Sequence, residues 1–431
     1  MEQRLSALVV DRSSDSVALG VAQHRLRTGL DLLTAFAARE GPTKGVIVGK
    51  GIKSKRVFAL TTGLLLAVSV LAFPAQGTES ADEAAAQAQR SAEQVVSVEV
   101  PDAQAQAAQE YWTRERMTST PALSFPETVA TGGDGIAAVT PGPAGSAESS
   151  LPDPRALALA QELYPADWKR IESSTAVPVA AETDGTYAGI VNRVYSYPPP
   201  YARYKAGNNK MSKQFPWKAV GRLFFTVPGQ GNASCTASVA VGRAIWTAGH
   251  CVYSPGIGWH TNMVFVPAYK NGAAPYGMFS VFNASVLNGW LNNANQAYDI
   301  AMAAVFDNNG MMVSQWVGNL GAIWNVSPQQ FWHANGYPGN LGNSQYLMVC
   351  EGSLSSRWDL AGPDPVGMGC DMTYGSSGGP WWTKHNPYTG GAFNLVNSLV
   401  TGTPNINKKK EFFGPYFGNG AMNLHQWGTT Q

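Results

Sequence analysis

The chain has 431 residues, with 30 Lys and Arg against 29 Asp and Glu. Charged residues make up 14% of it, below the roughly 25% of soluble globular chains, and the near-even balance argues against a nucleic-acid binder that relies on a broadly basic surface. A mean hydropathy of -0.14 excludes a polytopic membrane protein, and four cysteines exclude a small disulfide-dense scaffold while allowing two bridges. On length alone two or three domains are expected.

In chain order, the first punctuation is Lys53, Lys55 and Arg56 followed by the uncharged run Val57 to Phe73 and then Pro74-Ala75-Gln76-Gly77. Basic flank, apolar core and small residues are the layout of a secretory signal peptide, so residues 1–77 are expected to be a leader that is removed on export. A single membrane anchor is the competing reading of that run. Residues 78–200 are expected to be a propeptide and linker, partly disordered. Ala/Gln-rich stretches at 84–89 and 104–109, and a Gly, Ala, Ser, Thr and Pro-rich stretch at 129–150, offer little apolar surface to offset ordering. Tyr111-Trp112-Thr113 with Arg114 and Arg116 reads as a short docking helix, and Pro198-Pro199-Pro200 as a stiff linker. From about Phe215 short β-rich runs alternate with Gly, Asn and Pro turns: 220–227, 237–241, 244–247, 263–266, 300–306, 346–349 and 395–401. Many short strands at such spacing predict an all-β barrel or sandwich, and all four cysteines fall within it.

Chemistry concentrates at Gly375-Ser376-Ser377-Gly378-Gly379-Pro380. Glycines beside a Ser let backbone N–H groups approach a substrate carbonyl and hold an oxyanion. The Ser needs a His to take its proton, and the His needs an acid to fix its tautomer. One set of partners lies upstream: His250 in Trp246-Thr247-Ala248-Gly249-His250-Cys251 and Asp299 in Tyr298-Asp299-Ile300-Ala301. The other reading is a Gly-x-Ser-x-Gly elbow with its partners downstream. That reading has only Glu411 and His425 to use, in text that is strand-rich rather than alternating.

The upstream set, in the order His, Asp, Ser, resembles the trypsin/chymotrypsin-like serine proteases, and more closely their bacterial glutamyl-endopeptidase branch. The resemblance covers about 215–431 and includes Gly336-Tyr337-Pro338-Gly339. It implies two antiparallel six-stranded β-barrels with a site between them, in a protease domain spanning 201–431. It makes His250 the general base, Asp299 its orienting acid, Ser377 the nucleophile, and the N–H groups of Gly375 and Ser377 the oxyanion hole. It pairs Cys235 with Cys251, which leaves Cys350 and Cys370 for a second bridge. Among substrate-binding positions it points to Asp371, six residues before Ser377, as a base for the primary pocket that would select Arg or Lys. It also points to Asn397 and Ser398, on a strand Val396–Val400 that would serve as an edge for an extended peptide. Asn397 stands where the glutamyl-endopeptidase branch carries a His, so acidic specificity is not expected. Ser376 replaces the Asp that pairs with a new N-terminus in animal members, so removal of the propeptide is not expected to act through that ion pair.

The expected function is a secreted serine endopeptidase working through an acyl-enzyme. The alternatives are a catalytically silent binding protein of the same fold and an esterase using the same triad. Expected partners are a peptide or protein substrate and the chain's own propeptide, with a monomeric mature form that binds no nucleic acid and no membrane. No cofactor is implied, and without His-Glu-x-x-His or Cys-x-x-Cys the sequence offers no metal site.

Overall fold

The structure, a computed structural model, describes residues 81–124, 141–173, 199–206, 212–357, 360, 362–400 and 410–431, all within one unit, Gln76–Gln431. The leader with its apolar run lies outside the described residues. Among them no helix is long and apolar enough to cross a membrane.

The N-terminal part supplies α1 (Ala81–Ala92), β1 (Val95–Glu99), α2 (Asp102–Tyr111), α3 (Arg114–Ser119), β2 (Gly145–Ala147), α4 (Ala156–Leu163), α5 (Pro165–Ser173) and β3 (Ala202–Lys205). Then follow β4 (Val220–Val227), β5 (Gly231–Val241), β6 (Ala244–Thr247), β7 (Tyr253–Ser254), β8 (Gly258–Trp259), β9 (Thr261–Pro267), β10 (Phe279–Leu287), α6 (Asn288–Asn293) and β11 (Ala301–Val305). The last group is α7 (Val313–Val317), β12 (Gly321–Trp324), β13 (Phe331–Gly336), β14 (Met348–Arg357), β15 (Val366–Gly369), β16 (Pro380–Thr383), β17 (Leu395–Leu399), β18 (Glu411–Gly414) and α8 (Asn419–Gly428).

Strands β4, β5, β6, β11, β10 and β9 follow one another antiparallel, and β10 returns to β9 through Phe279 opposite Phe265, so the six close into a barrel. Closure removes the exposed edges that an open sheet would present. The second sheet has nine strands in the order β18-β15-β14-β13-β16-β17-β12-β2, with β3 beside β14. Its own core holds Trp332, Met368, Trp381 and Phe412 around Cys350 and Cys370. Strand β17 is not a free edge at its start. It pairs with β16 along its length and runs parallel to β12 at Leu395 and Val396.

The stretch 81–124, expected from its composition to fold poorly, is laid against the first barrel as β1, α1, α2 and α3. Strand β1 pairs antiparallel with the free half of β10, from Val95 opposite Leu287 to Glu99 opposite Asn283. Trp112 is buried against Phe224, with ring centroids 5.3 Å apart, and Trp168 of α5 donates its indole N–H to the Pro275 carbonyl at 2.9 Å. Too poor in apolar residues to build its own core, this part uses the barrel's. One Trp buries on the order of 150–250 Å², about 4–6 kcal/mol of transfer free energy. The same contact explains why β4, Val-Gly-Arg-Leu-Phe-Phe-Thr-Val, is buried on both faces. Leu223 and Phe225 alternate with Arg222 and Phe224, and the helices cover the second pair.

Candidate active site

His250 sits in a single 3₁₀ turn, Gly249–Cys251, just after β6. Asp299 follows the 3₁₀ turn Gln296–Tyr298 and leads into β11, the strand paired with β6. The pairing of those two strands therefore brings the two residues together from 49 positions apart in sequence. The carboxylate holds His250 twice: Oδ1 accepts the His250 backbone N–H at 2.7 Å, and Oδ2 lies 2.7 Å from Nδ1. Both residues are buried. An ionised carboxylate at Nδ1 keeps the proton there and leaves Nε2 as the acceptor. Nε2 is buried with no hydrogen-bond partner among the described residues, and so is the Ser377 Oγ. Trp290 closes one side of the imidazole edge-on at 6.2 Å and is anchored by its indole N–H on the Tyr253 carbonyl at 3.0 Å.

The turn that carries Ser377 is held mainly by a residue that the sequence reading did not single out. Thr236, fully buried on β5 beside Cys235, donates its N–H to the Ser377 carbonyl at 2.8 Å and its hydroxyl to the Gly375 carbonyl at 2.8 Å. The same hydroxyl accepts the Tyr337 N–H at 2.9 Å, and the Thr236 carbonyl accepts the Thr247 hydroxyl at 2.9 Å. Thr236 thus ties the first barrel to both residues expected to form the oxyanion hole. No motif marks it, because its role depends on three contacts from distant parts of the chain. Gly375 has φ +85 and Gly378 has φ +78, the left-handed region in which glycine is favoured. A Cβ on Gly378 would lie 2.3 Å from the Thr236 carbonyl and 2.8 Å from the Ala248 N, so this turn meets both β5 and the segment leading to His250 glycine to backbone. Among the described residues no hydrogen bond takes up the N–H of Gly375 or of Ser377. Ser376 is turned away, its hydroxyl donating to the Thr373 carbonyl at 2.6 Å.

The disulfides join Cys235 to Cys251 and Cys350 to Cys370. The first ties β5, next to Thr236, to the residue after His250. The second leads into Asp371, whose Oδ1 lies 3.2 Å from the Arg203 Nε of β3. That pair lacks the alignment of a good hydrogen bond, since this oxygen has no hydrogen-bond partner. It is an ion pair nonetheless, and the chain's own guanidinium stands beside the acid expected to line the primary pocket. Ser398 is buried on β17, its hydroxyl donating to the Pro415 carbonyl at 2.9 Å. Position 397 lies on the same strand. The residue that reaches the turn carrying Ser377 is instead Val400, whose backbone exchanges hydrogen bonds with Gly378 and Gly379 at 2.8 and 3.0 Å.

His260 supports the His250 turn from behind. Its Nδ1 bonds the Cys251 carbonyl at 3.0 Å, its Nε2 meets the Ser254 hydroxyl at 2.9 Å, and its ring stacks on Phe225. Burial holds its pKa down to about 4, from 6.5. Between those values the unfolded chain binds a proton that the folded chain refuses. Stability is therefore fully present above about 6.5 and is lost as pH falls through about 4. His260→Gln should remove about 2–3 kcal/mol of the acid-linked loss between about pH 7 and about pH 4. Urea titrations at the two pH values check this, and an unchanged acid loss would refute it.

No family model matches the chain. A stretch of 105 residues, 24% of the chain, is 29% identical to the extracellular metalloprotease of Bacillus subtilis strain 168 and covers 33% of it, so the match spans about a third of that relative's length. Ligand atoms of three His, Cys, Asp or Glu residues come together, among the described residues, at Cys235, His250 and Cys251 and at Cys350, Cys370 and Asp371. In both groups the sulfurs are joined in a disulfide. They have no thiolate to give a metal, so neither donor set fits a bound ion. Among solved structures, a thermostable serine protease, AL20, from an extremophilic microorganism is 30% identical, with a TM-score of 0.45 covering 50% of this chain and 99% of that one. The protease Anisep of Arthrobacter nicotinovorans is 31% identical, with a TM-score of 0.44 covering 50% and 97%. A Glu endopeptidase is 19% identical, with a TM-score of 0.44 covering 53% and 97%. With sequence shared at 30% and 31% over nearly the whole of the first two chains, and with a closed antiparallel barrel joined to a second sheet, the chain belongs to the trypsin/chymotrypsin-like serine proteases.

Proposed function

We propose that the chain is a secreted serine endopeptidase made as a precursor, with residues 1–77 as leader, 78–200 as propeptide and linker, and 201–431 as the protease domain. Ser377 Oγ attacks the peptide carbonyl while His250 Nε2 takes its proton. The N–H groups of Gly375 and Ser377 receive the oxyanion, and Asp299 stabilises the imidazolium. The imidazolium then gives its proton to the leaving amine, and water releases the acyl group by the same route. The observation that carries this reading is the double hold of Asp299 on His250, which fixes Nδ1 and leaves Nε2 as the one ring nitrogen open to a hydroxyl.

Two disulfides suit an oxidising compartment, as does the apolar run at 57–73. If Asp371 lines the primary pocket, an Arg or Lys side chain must compete there with Arg203.

A fluorophosphonate supplies the test. It should label Ser377 covalently in the chain recovered from the culture medium, and labelling should be lost in His250→Ala. Labelling that survives in His250→Ala would sink the assignment of the base. A labelled band that stays with the cells and keeps residues 57–73 would sink export.

A further inference from the structure

Arg222, on β4, is fully buried, yet no carboxylate pairs with it among the described residues. Its guanidinium lies between two rings, 4.5 Å from the Phe224 centroid and 5.0 Å from that of Tyr269. Stacking of this kind orients a guanidinium and leaves its N–H groups to point outward. They point at the C-terminal end of α3: Nη1 donates to the Met117 carbonyl at 3.2 Å and Nη2 to the Thr120 carbonyl at 3.1 Å. Neighbouring side chains take the carbonyls around these. Gln345 Nε2 donates to the Thr118 carbonyl at 3.3 Å, and the Ser234 hydroxyl to the Pro121 carbonyl at 3.1 Å. The open carbonyls of a helix end carry partial negative charge, and a cation placed there is favourable. Immediately afterwards the chain is extended, and the Leu123 N–H donates to the Ser234 carbonyl at 2.9 Å. This brings Ala122 over the nucleophile turn, where a methyl built on Gly375 would lie 2.8 Å from the Ala122 methyl.

We infer that the face of the first barrel around Arg222 is a receptor for a helix C-terminus followed by an extended strand, that residues 117–123 are its occupant, and that the occupied receptor covers Gly375 on the first-barrel side of Ser377. The consequence for activity rests on the protease reading above; the docking itself does not. In the uncut chain a substrate cannot lie along β5 without displacing Leu123, and Arg222 sets how firmly the segment stays. Four carbonyls or N–H groups of the segment are matched by groups of β4 and β5 and a fifth by Gln345, from the loop between β13 and β14, and none of these hydrogen bonds requires a specific segment side chain. Recognition is therefore by backbone shape and by the dipole of the helix end, with Met117 seated in the barrel's core.

The test uses the full-length chain with two readouts. Hydrogen exchange over residues 117–123 reports docking, and the rate of fluorophosphonate labelling, read on the uncut band, reports access to Ser377. Two variants weaken the contact from opposite sides: Arg222→Met in the receptor, and Leu123→Pro in the segment, which deletes the N–H donor without touching the barrel. Both are expected to raise exchange in the segment at least about tenfold, and to raise labelling of the uncut chain by a similar factor. Exchange unchanged in both variants overturns the receptor, and faster exchange in a chain that labels no faster than a labelling parent overturns its cover of Ser377. If exchange rises while no form of the chain ever labels, the receptor stands and the serine-protease reading falls.

Discussion

Ser377→Ala should lower peptide hydrolysis on the order of a million-fold while leaving the fold in place. The two halves of that result have separate causes. The Ser377 hydroxyl has no partner among the described residues, so its deletion breaks no hydrogen bond seen there, and the turn around it is held at its own backbone, through the Thr236 N–H on the Ser377 carbonyl and the Thr236 hydroxyl on the Gly375 carbonyl. Thermal unfolding should therefore shift by no more than the few tenths of a kcal/mol typical of a neutral change. Turnover loses the nucleophile itself, and in triad enzymes loss of the Ser alone costs about as much as loss of all three members. Residual hydrolysis of about a thousandfold or more over water is still expected from the oxyanion donors. Activity within about tenfold of the parent chain, measured on a peptide library by mass spectrometry, would remove Ser377 from the mechanism.

Asp299→Asn should cost about ten-thousandfold in kcat. The carboxylate accepts two hydrogen bonds from His250, one from the backbone N–H and one at Nδ1, each at 2.7 Å. An Asn of the same shape has one oxygen and one NH₂. If the oxygen keeps the backbone N–H, the NH₂ faces Nδ1 and forces the ring to accept there. The proton then moves to Nε2, which no longer accepts from Ser377. If the amide flips, the buried backbone N–H of His250 faces a donor instead, at a cost of about 1–3 kcal/mol. Either way the imidazolium formed in the transition state loses its counter-charge. A kcat lowered by less than about tenfold, with the fold verified by circular dichroism, would mean that Asp299 only anchors the turn.

Much of the candidate site could be read along the chain because its chemistry is local in sequence. His250, Asp299 and Ser377 each stand in a short motif whose neighbours serve the same purpose. Gly375 and Gly378 occupy left-handed backbone, and Ala301 to Val305 is an apolar strand that carries Asp299 to its place. Strands β4, β6 and β11 were legible because their apolar runs are bounded by turn residues. Strand β10 was not, since Ser280, Asn283 and Ser285 interrupt its apolar pattern. Its pairing with β1, β9 and β11 overrides that weak local preference, as tertiary context does for many strands. The primary-pocket assignments were the least legible. Asp371 and Ser398 were placed by counting from a motif, and counting cannot reveal that Arg203 comes from 168 positions away to one, or that Pro415 takes the hydroxyl of the other.

The N-terminal part shows the same division most clearly. Its alanine, glutamine and glycine content says correctly that it has too few apolar side chains for a core of its own. Whether such a segment orders depends on a surface supplied by another part of the chain, and composition holds no information about that surface. Trp112 finds Phe224, β1 finds the open half of β10, and Arg222 finds the carbonyl end of α3. Residue type and order were enough to propose a reaction class, because an acid, a base and a nucleophile must be particular side chains. Docking and positioning emerged only in three dimensions, because backbone carbonyls, a buried Thr236 and a stacked guanidinium acquire their roles from what folds against them.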